Sequence, residues 1–503
     1  MSFRKNVLTS YAGQIYVALI GIAMVPVYVR FMGTEAYGLV AFFAMLQTWL
    51  QLLDLGLTPT FSRELSRYRA GAVERMPAAA MVRSMEWICG SVGVGCVLLL
   101  AAAAPWIASH WLKLQDLDRR EVAWCVAMMG AMIGLRSPAT LYRGGLAGLE
   151  LLPVLNLANV AVATLRAVGV VAVLALWTTR PAGFFLYQLF VTVVELVLMN
   201  ALFYRAFPMT GTKFRPDFAA LRNLLRLAGS MALLVALWVV ISQADKLVFS
   251  WSLDLKSYAS FMIAATLAGG ITLLAAPVYQ ALQPRLAVLV AREEHAQVIA
   301  LYRTSTQVVS AVLFAIAGVM GCFAEPLLLV WTTNADLARE GARILPLYAI
   351  GNAFAALLGL AFLVQFAYGK LRWHVMGNCL FGILWIPGVL VAAQHGGAVS
   401  AGWIWLVGNL VFLVCWVPFV QHRLLPGLGW RWLVLDVGAV ALIVLGGLAV
   451  VRFAGLPGGG RWSVLAALAI VTLALALAGM AAGPGAREVL KRFGQGLFRP
   501  RSV

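Results

Sequence analysis

The pattern W-x4-D-L-x-R occurs twice in this chain, 220 residues apart: first at Trp111, Asp116, Leu117 and Arg119, then at Trp331, Asp336, Leu337 and Arg339. Each copy sits in a short polar break between two long apolar runs. In the same frame Tyr37 falls opposite Tyr258, at an offset of 221, and Arg63 opposite Arg285, at 222. Matched letters in a matched hydropathy frame point to an internal duplication. A duplicated bundle of apolar helices builds one cavity between two similar halves, an architecture suited to carrying a solute across a bilayer.

The apolar runs set the fold class. The chain is 62% hydrophobic and 12% charged, whereas soluble domains run to about 25% charged residues. Stretches of roughly 20 apolar residues, each able to cross a hydrocarbon core of about 30 Å, recur along its whole length. They lie at 11–31, 37–60, 87–108, 122–142, 154–177, 182–204 and 227–250. The others are 258–281, 304–331, 344–366, 375–394, 401–420, 433–452 and 463–482. The expected fold is therefore an all-α polytopic membrane protein of about 14 transmembrane helices. The first span follows Arg4 and Lys5 but contains Gln14 and Pro26 and meets no small-residue cleavage site, so it reads as helix 1 rather than a signal peptide.

Lys and Arg in the loops give the orientation. With the N-terminus inside, 25 of the 38 basic residues fall in inner segments and 10 in outer ones, Arg30 and Arg452 at span ends being counted as outer. Both termini are then cytoplasmic. The inner loops 61–86 and 205–226 are the most basic, and the second follows six spans, so the next six start from the same side as the first six did. The expected organisation is two parallel-repeat six-helix lobes around a central cavity, residues 1–204 and 227–420, joined by the basic cytoplasmic linker 205–226. Residues 421–503 add two extra helices and a basic tail lying on the inner membrane surface. The net charge of +18 reads as a topology signal: its partner is anionic inner-leaflet lipid, and no nucleic acid is expected.

Catalytic chemistry finds little support. The outer loops are short, and the five histidines (His110, His295, His374, His395, His422) do not pair at metal-ligand spacing. The six cysteines (Cys89, Cys96, Cys125, Cys322, Cys379, Cys415) all fall in apolar spans and form no C-x-x-C pair, which reads as buried small hydrophobes. No metal and no cofactor is expected.

The few charges inside spans mark candidate function. Counted from the inner helix ends at 1.5 Å per residue, Arg166 lies roughly 18 Å deep and Glu195 roughly 14 Å deep on adjacent antiparallel helices. They either neutralise each other within the lobe or present Arg166 to a cavity. Arginine suits such a role, because its planar fork can hold two phosphate oxygens at once. Arg136, near the inner end of its helix, can also snorkel to the surface. Asp245 and Lys246 are neighbours pointing about 100° apart on a helix, so no face-to-face pair is expected between them. These five are the substrate-cavity candidates. Asp54, Arg63 and Arg285 are inner-gate candidates, Asp54 and Arg63 reading chiefly as a helix-end network.

The opening of the chain carries a resemblance. Pro26, Tyr28, Gly33, Tyr37 and Gly38 lead into Leu53-Asp54-Leu55-Gly56-Leu57 and the basic segment Arg63 to Arg67. This order resembles the start of the polysaccharide flippases of the multidrug/oligosaccharidyl-lipid/polysaccharide exporter superfamily. The second half is similar at Asp245, Lys246 and Tyr258 but has Asp254 and Ala259 where the first half has glycines. The resemblance implies a flippase that turns an undecaprenyl-pyrophosphate-linked oligosaccharide repeat unit from the inner to the outer leaflet of the cell inner membrane. Alternating access would drive it, and the product would feed O-antigen, capsule or exopolysaccharide assembly. It also implies polysaccharide polymerase and chain-length proteins as partners, and leaves the coupling ion, H+ or Na+, open. Three other readings stand beside it, one of them a lipid-linked peptidoglycan-precursor flippase, whose usual cluster of arginines in helix 1 is absent here. A cation-coupled small-molecule exporter of the same fold calls for a carboxylate cluster, and a membrane polymerase or ligase calls for catalytic groups in a sizeable outer loop.

Overall fold

The computed structural model describes residues 3–54, 56–72, 75–208, 218–455 and 460–498. Its chain divides into two compact units, Met1–Ala259 and Ser260–Val503, and the division falls inside one helix. In the first unit the elements are α1 (Phe3–Met32), α2 (Thr34–Leu50), α3 (Leu57–Arg69), α4 (Arg75–Trp106), α5 (Arg119–Gly148), α6 (Leu152–Leu176), α7 (Pro181–Ala206) and α8 (Phe218–Ser252). Then come α9 (Leu255–Ala291), which crosses the division, α10 (His295–Cys322), α11 (Ala324–Thr332), α12 (Ala335–Ala367) and α13 (Arg372–His395). The chain ends in α14 (Gly397–Val411), α15 (Val417–Leu424), α16 (Gly429–Arg431), α17 (Ala439–Ala454), α18 (Arg461–Ala482) and α19 (Pro484–Phe498). The protein is an all-α polytopic membrane protein. Large apolar side chains such as Leu98, Leu99, Leu442 and Phe453 stay exposed along the helices, as a lipid solvent requires.

Among the described residues twelve helices are long and apolar enough to cross a membrane, against fourteen spans expected. The remaining two spans correspond to α2 and α8. The expected span 37–60 is not one helix: α2 stops at Leu50, a 3-10 turn covers Gln51–Asp54, and α3 restarts at Leu57. The break has a local cause. Gly56 takes the left-handed conformation, φ +72°, and the Asp54 carboxylate accepts from the Thr58 amide at 3.3 Å and the Thr58 hydroxyl at 2.5 Å, capping the new helix. The expected span 304–331 likewise splits at Phe323 into α10 and α11. The basic linker residues Lys213 and Arg215, and Arg501 in the tail, lie outside the described residues.

Within the first unit small residues set the helix spacing. A Cβ on Gly93 of α4 would fall 2.5 Å from the Gly134 carbonyl oxygen of α5, and one on Gly134 would return the clash. One end of this unit is an apolar core of Leu57, Phe61, Leu65, Val82, Met85, Leu146 and Phe203. Beside it the Glu86 carboxylate accepts from the hydroxyls of Tyr142, at 2.9 Å, and Tyr204, and pairs with Arg83 at 2.8 Å.

The first W-x4-D-L-x-R copy closes the opposite end. Trp111 Nε1 donates to the Ser250 hydroxyl at 3.0 Å, and Lys113 Nζ to the Ser252 carbonyl at 2.6 Å. The Leu255 amide donates to the Lys113 carbonyl at 3.1 Å. The buried Glu35 carboxylate accepts from the backbone amides of Gln115, at 2.6 Å, and Asp116, at 2.8 Å, while Asp116 pairs with Lys256 at 2.6 Å. Gly38 is held so tightly that a Cβ there would lie 2.5 Å from the Leu255 carbonyl oxygen. Asp118 then caps α5, accepting from the amides of Arg120 and Glu121 at 3.1 Å.

In the second unit Asn334 caps α12 by accepting from Asp336 and Leu337 at 3.1 Å. The two motif copies thus precede long capped helices but sit in them differently. Asp116 lies two residues before its cap, and Asp336 two residues after its own. The second helix has gained one N-terminal turn, which brings Asp336 and Arg339 to 3.8 Å as an i,i+3 pair. The helices beyond residue 421 pack on α10. Ala315, Val319 and Phe323 form a core with Val444, Leu448, Leu468 and Leu475. The π-helical segment Trp432–Gly438 turns the wholly buried Asp436 toward α10, where Arg303 holds it with two bonds, 2.7 Å and 3.0 Å, and Gln307 Nε2 with a third at 2.5 Å. Gln307 Oε1 accepts from the Ala486 amide at 3.1 Å, fixing the start of α19. No disulfide forms; Cys89 and Cys125 are buried as expected, but Cys322 and Cys415 are exposed, where lipid rather than protein covers a small hydrophobe.

Candidate functional site

Four helices of the first unit bring charged and polar side chains together inside the apolar bundle. On α7, Gln188, Thr192 and Glu195 recur at i, i+4 and i+7 and so share one face. On α5, Arg136 and Arg143 are two turns apart on one face. Arg166 comes from α6. Its Nη2 meets Glu195 Oε2 at 2.8 Å and Thr192 Oγ1 at 3.4 Å, and its Nη1 donates to Gln188 Oε1 at 2.9 Å. The other Glu195 oxygen is taken by Arg143. Arg136 lies in the electrostatic field of Arg166, Glu195 and Arg143, and Tyr28 of α1 lies in that of Arg166.

Two guanidiniums, of Arg166 and Arg143, thus converge on one carboxylate, with Arg136 in their electrostatic field, so positive charge exceeds negative in the cluster. The carboxylate is the buried member: the Glu195 side chain is 4% exposed, Arg166 19% and Arg143 36%. The Nε atoms of Arg136 and Arg143 are buried without a hydrogen-bond partner. Unmet donors and excess positive charge in an apolar setting are the chemistry that phosphate oxygens can satisfy. Among the described residues no group of three His, Cys, Asp or Glu side chains is placed to hold a metal ion.

Of the residues singled out from sequence, the structure brings Arg166, Glu195 and Arg136 into one cluster. Arg143 was missed, because hydropathy ends its span at Tyr142 and assigns it to a loop, whereas α5 continues to Gly148. Its spacing of seven from Arg136 was the available signal. Asp245 and Lys246 depart from expectation: Lys246 Nζ folds back to reach Asp245 Oδ1 at 3.1 Å and the Ser242 carbonyl at 2.7 Å. A four-carbon stem lets Lys246 span the 100° between neighbouring positions, and Asp245 is 2% exposed. Asp54 is engaged with Thr58 as described, while Arg63 on α3 and Arg285 on α9 are exposed.

The fold has solved counterparts. The lipid II flippase MurJ in an inward closed conformation aligns with a TM-score of 0.70 at 10% identity, covering 98% of this chain and 99% of that one. An inward-facing multidrug resistance MATE family transporter of the MOP superfamily aligns with a TM-score of 0.65 at 15% identity, covering 81% and 94%. At these identities the likeness establishes the fold, that of the MOP transporters. No curated protein matches the sequence. Residues 3–290, more than half of the chain, match the family model described as polysaccharide biosynthesis protein. Fold and family match agree with the motifs at residues 26–67, and the chain belongs to the polysaccharide biosynthesis protein family.

Proposed function

We propose that the protein is a flippase for an undecaprenyl-pyrophosphate-linked oligosaccharide, carrying it from the inner to the outer leaflet by alternating access for cell-surface polysaccharide assembly. The observation that carries this reading is the arginine cluster, in which Arg166 and Arg143 share the one Glu195 carboxylate and Arg136 lies in their field. A pyrophosphate supplies the charges and acceptor oxygens that such a cluster lacks. The family and the MOP fold support the reading; residues 1–204 and 227–420 are the proposed lobes, with the linker 205–226 and the extension 421–503 outside them. Polymerase and chain-length proteins acting on the product are proposed partners. A cation-coupled exporter is less well supported, since Glu195 has both carboxylate oxygens engaged by arginines.

The test is Arg166→Ala. Arg143 still neutralises Glu195 in this variant, so membrane abundance is expected near wild type. Loss of charge-assisted hydrogen bonds worth about 1.5–3 kcal/mol should cut export of the lipid-linked glycan about ten- to a hundredfold. Arg166→Lys keeps the charge but not the fork and should retain part of the activity. Undiminished export at unchanged abundance would remove the cluster from the transport path.

The proposed orientation, in the inner membrane with both termini cytoplasmic, rests on the distribution of basic residues. Reporter fusions at Asp116 and Asp336 are expected to read as external and a fusion at Tyr368 as internal; the opposite pattern would reverse the direction of transport proposed.

A further inference from the structure

From residue 344 to residue 435 the sequence contains no Asp or Glu, yet it contains Lys370, Arg372, Arg423 and Arg431. The structure draws two of these together at one end of the second unit. The Arg372 guanidinium lies 4.8 Å from the Trp373 ring centroid, and that of Arg423 lies 5.7 Å from the same ring and 5.4 Å from Phe419. Trp373 meets Phe419 edge to face at 5.4 Å, and Phe419 meets Trp416 at 5.4 Å. The start of α13 and the end of α15 thus share one aromatic platform carrying two arginines, both exposed. Among the described residues neither forms an ion pair. The turn that carries Glu293 and Glu294 touches this end at Tyr368, where His295 stacks on the ring and makes a 3.0 Å hydrogen bond, and it pairs with neither arginine.

From this we infer that Arg372 and Arg423, on the Trp373–Phe419 platform, form a headgroup site for one anionic phospholipid of the inner leaflet. A guanidinium that uses its face on a ring keeps its N–H edges for phosphate oxygens. Trp and Phe beside it match the amphipathic depth of the membrane interface, where Trp is enriched. Neither arginine is paired with a carboxylate among the described residues, Trp430 stands 61% exposed nearby in the chain, and acyl chains would run along the apolar flanks of α13 and α15. The placement in the inner leaflet rests on the orientation proposed above, and the site itself does not depend on what is transported.

The experiment is native mass spectrometry of the purified full-length protein titrated with phosphatidylglycerol, with phosphatidylcholine as the neutral comparison. At about 1 kcal/mol per surface arginine, Arg372→Ala with Arg423→Ala should weaken the tightest phosphatidylglycerol site about thirtyfold and leave phosphatidylcholine retention unchanged. Arg372→Lys with Arg423→Lys should fall between the two. Arg487→Ala with Arg492→Ala, in α19, should leave the tightest site in place, which separates it from general attraction to the basic tail. Should the double alanine variant fold poorly, Arg423→Ala alone is expected to weaken the site about fivefold. Equal affinity in wild type and variant would overturn the inference. So would displacement of the lipid by equimolar inorganic pyrophosphate, which would assign the arginines to a soluble or cargo phosphate instead.

Discussion

Glu195→Ala is expected to be the most damaging single replacement in the first unit. It strands Arg166, 19% exposed, and Arg143 beside Arg136, with no carboxylate among them. Breaking a buried charge pair by removing one partner costs about 3–5 kcal/mol, a large part of the stability of a typical domain. Membrane abundance and thermal midpoint should both drop sharply, where Arg166→Ala leaves them nearly intact. Glu195→Gln, which keeps one acceptor, should fall between. The triple change Arg143→Ala, Arg166→Ala, Glu195→Ala should restore abundance without restoring export, because it removes the imbalance and the cluster together. If Glu195→Ala is as abundant as wild type, the carboxylate is not what holds the arginines in the bundle.

The second large effect concerns Arg303 and Asp436. The two partners are unequally placed: the Asp436 side chain is 0% exposed and Arg303 is 37% exposed. Arg303→Ala leaves a buried carboxylate supported by Gln307 alone, a loss of about 3–5 kcal/mol. Asp436→Asn leaves an arginine that can turn toward water and an amide that still accepts from Gln307, costing about 1–3 kcal/mol. The order should show directly in thermal midpoints, and the double variant Arg303→Ala with Asp436→Asn should be more stable than Arg303→Ala. Asp436→Asn proving the worse change would mean that the π-helical segment depends on the negative charge itself rather than on its solvation.

What could be read from the sequence follows the range of the forces involved. Lipid imposes its requirement on every residue of a span, so the helices along the chain were legible from hydropathy. The meeting of Arg166 with Glu195 was legible because depth counts alone bring two charges level on adjacent helices. The break at Asp54 and Gly56 was not, since a left-handed glycine inside an apolar run leaves mean hydropathy unchanged. Arg143 was lost to a boundary set at Tyr142, six residues before α5 ends. Asp436 was out of reach for another reason: its partners lie about 130 residues upstream, and only the π-helical turn directs it toward them. Lys246 shows the limit of angular arguments, since a long side chain overrides the direction of its Cβ.

The closed end of the first unit has one further consequence. At the offset of 221 that matches Tyr37 to Tyr258, Glu35 matches Lys256. These two positions meet at the same loop: Glu35 takes the backbone amides of Gln115 and Asp116, and Lys256 takes the Asp116 carboxylate. Two identical subunits meeting about a twofold axis would have to set like against like at such a place, carboxylate to carboxylate or ammonium to ammonium. Joining both copies in one polypeptide lifts that restriction. The matched sites are free to take opposite charges, and a single loop is held from one side by a carboxylate that accepts its backbone amides and from the other by an ammonium that binds its Asp116 side chain, a fastening closed to a symmetric pair.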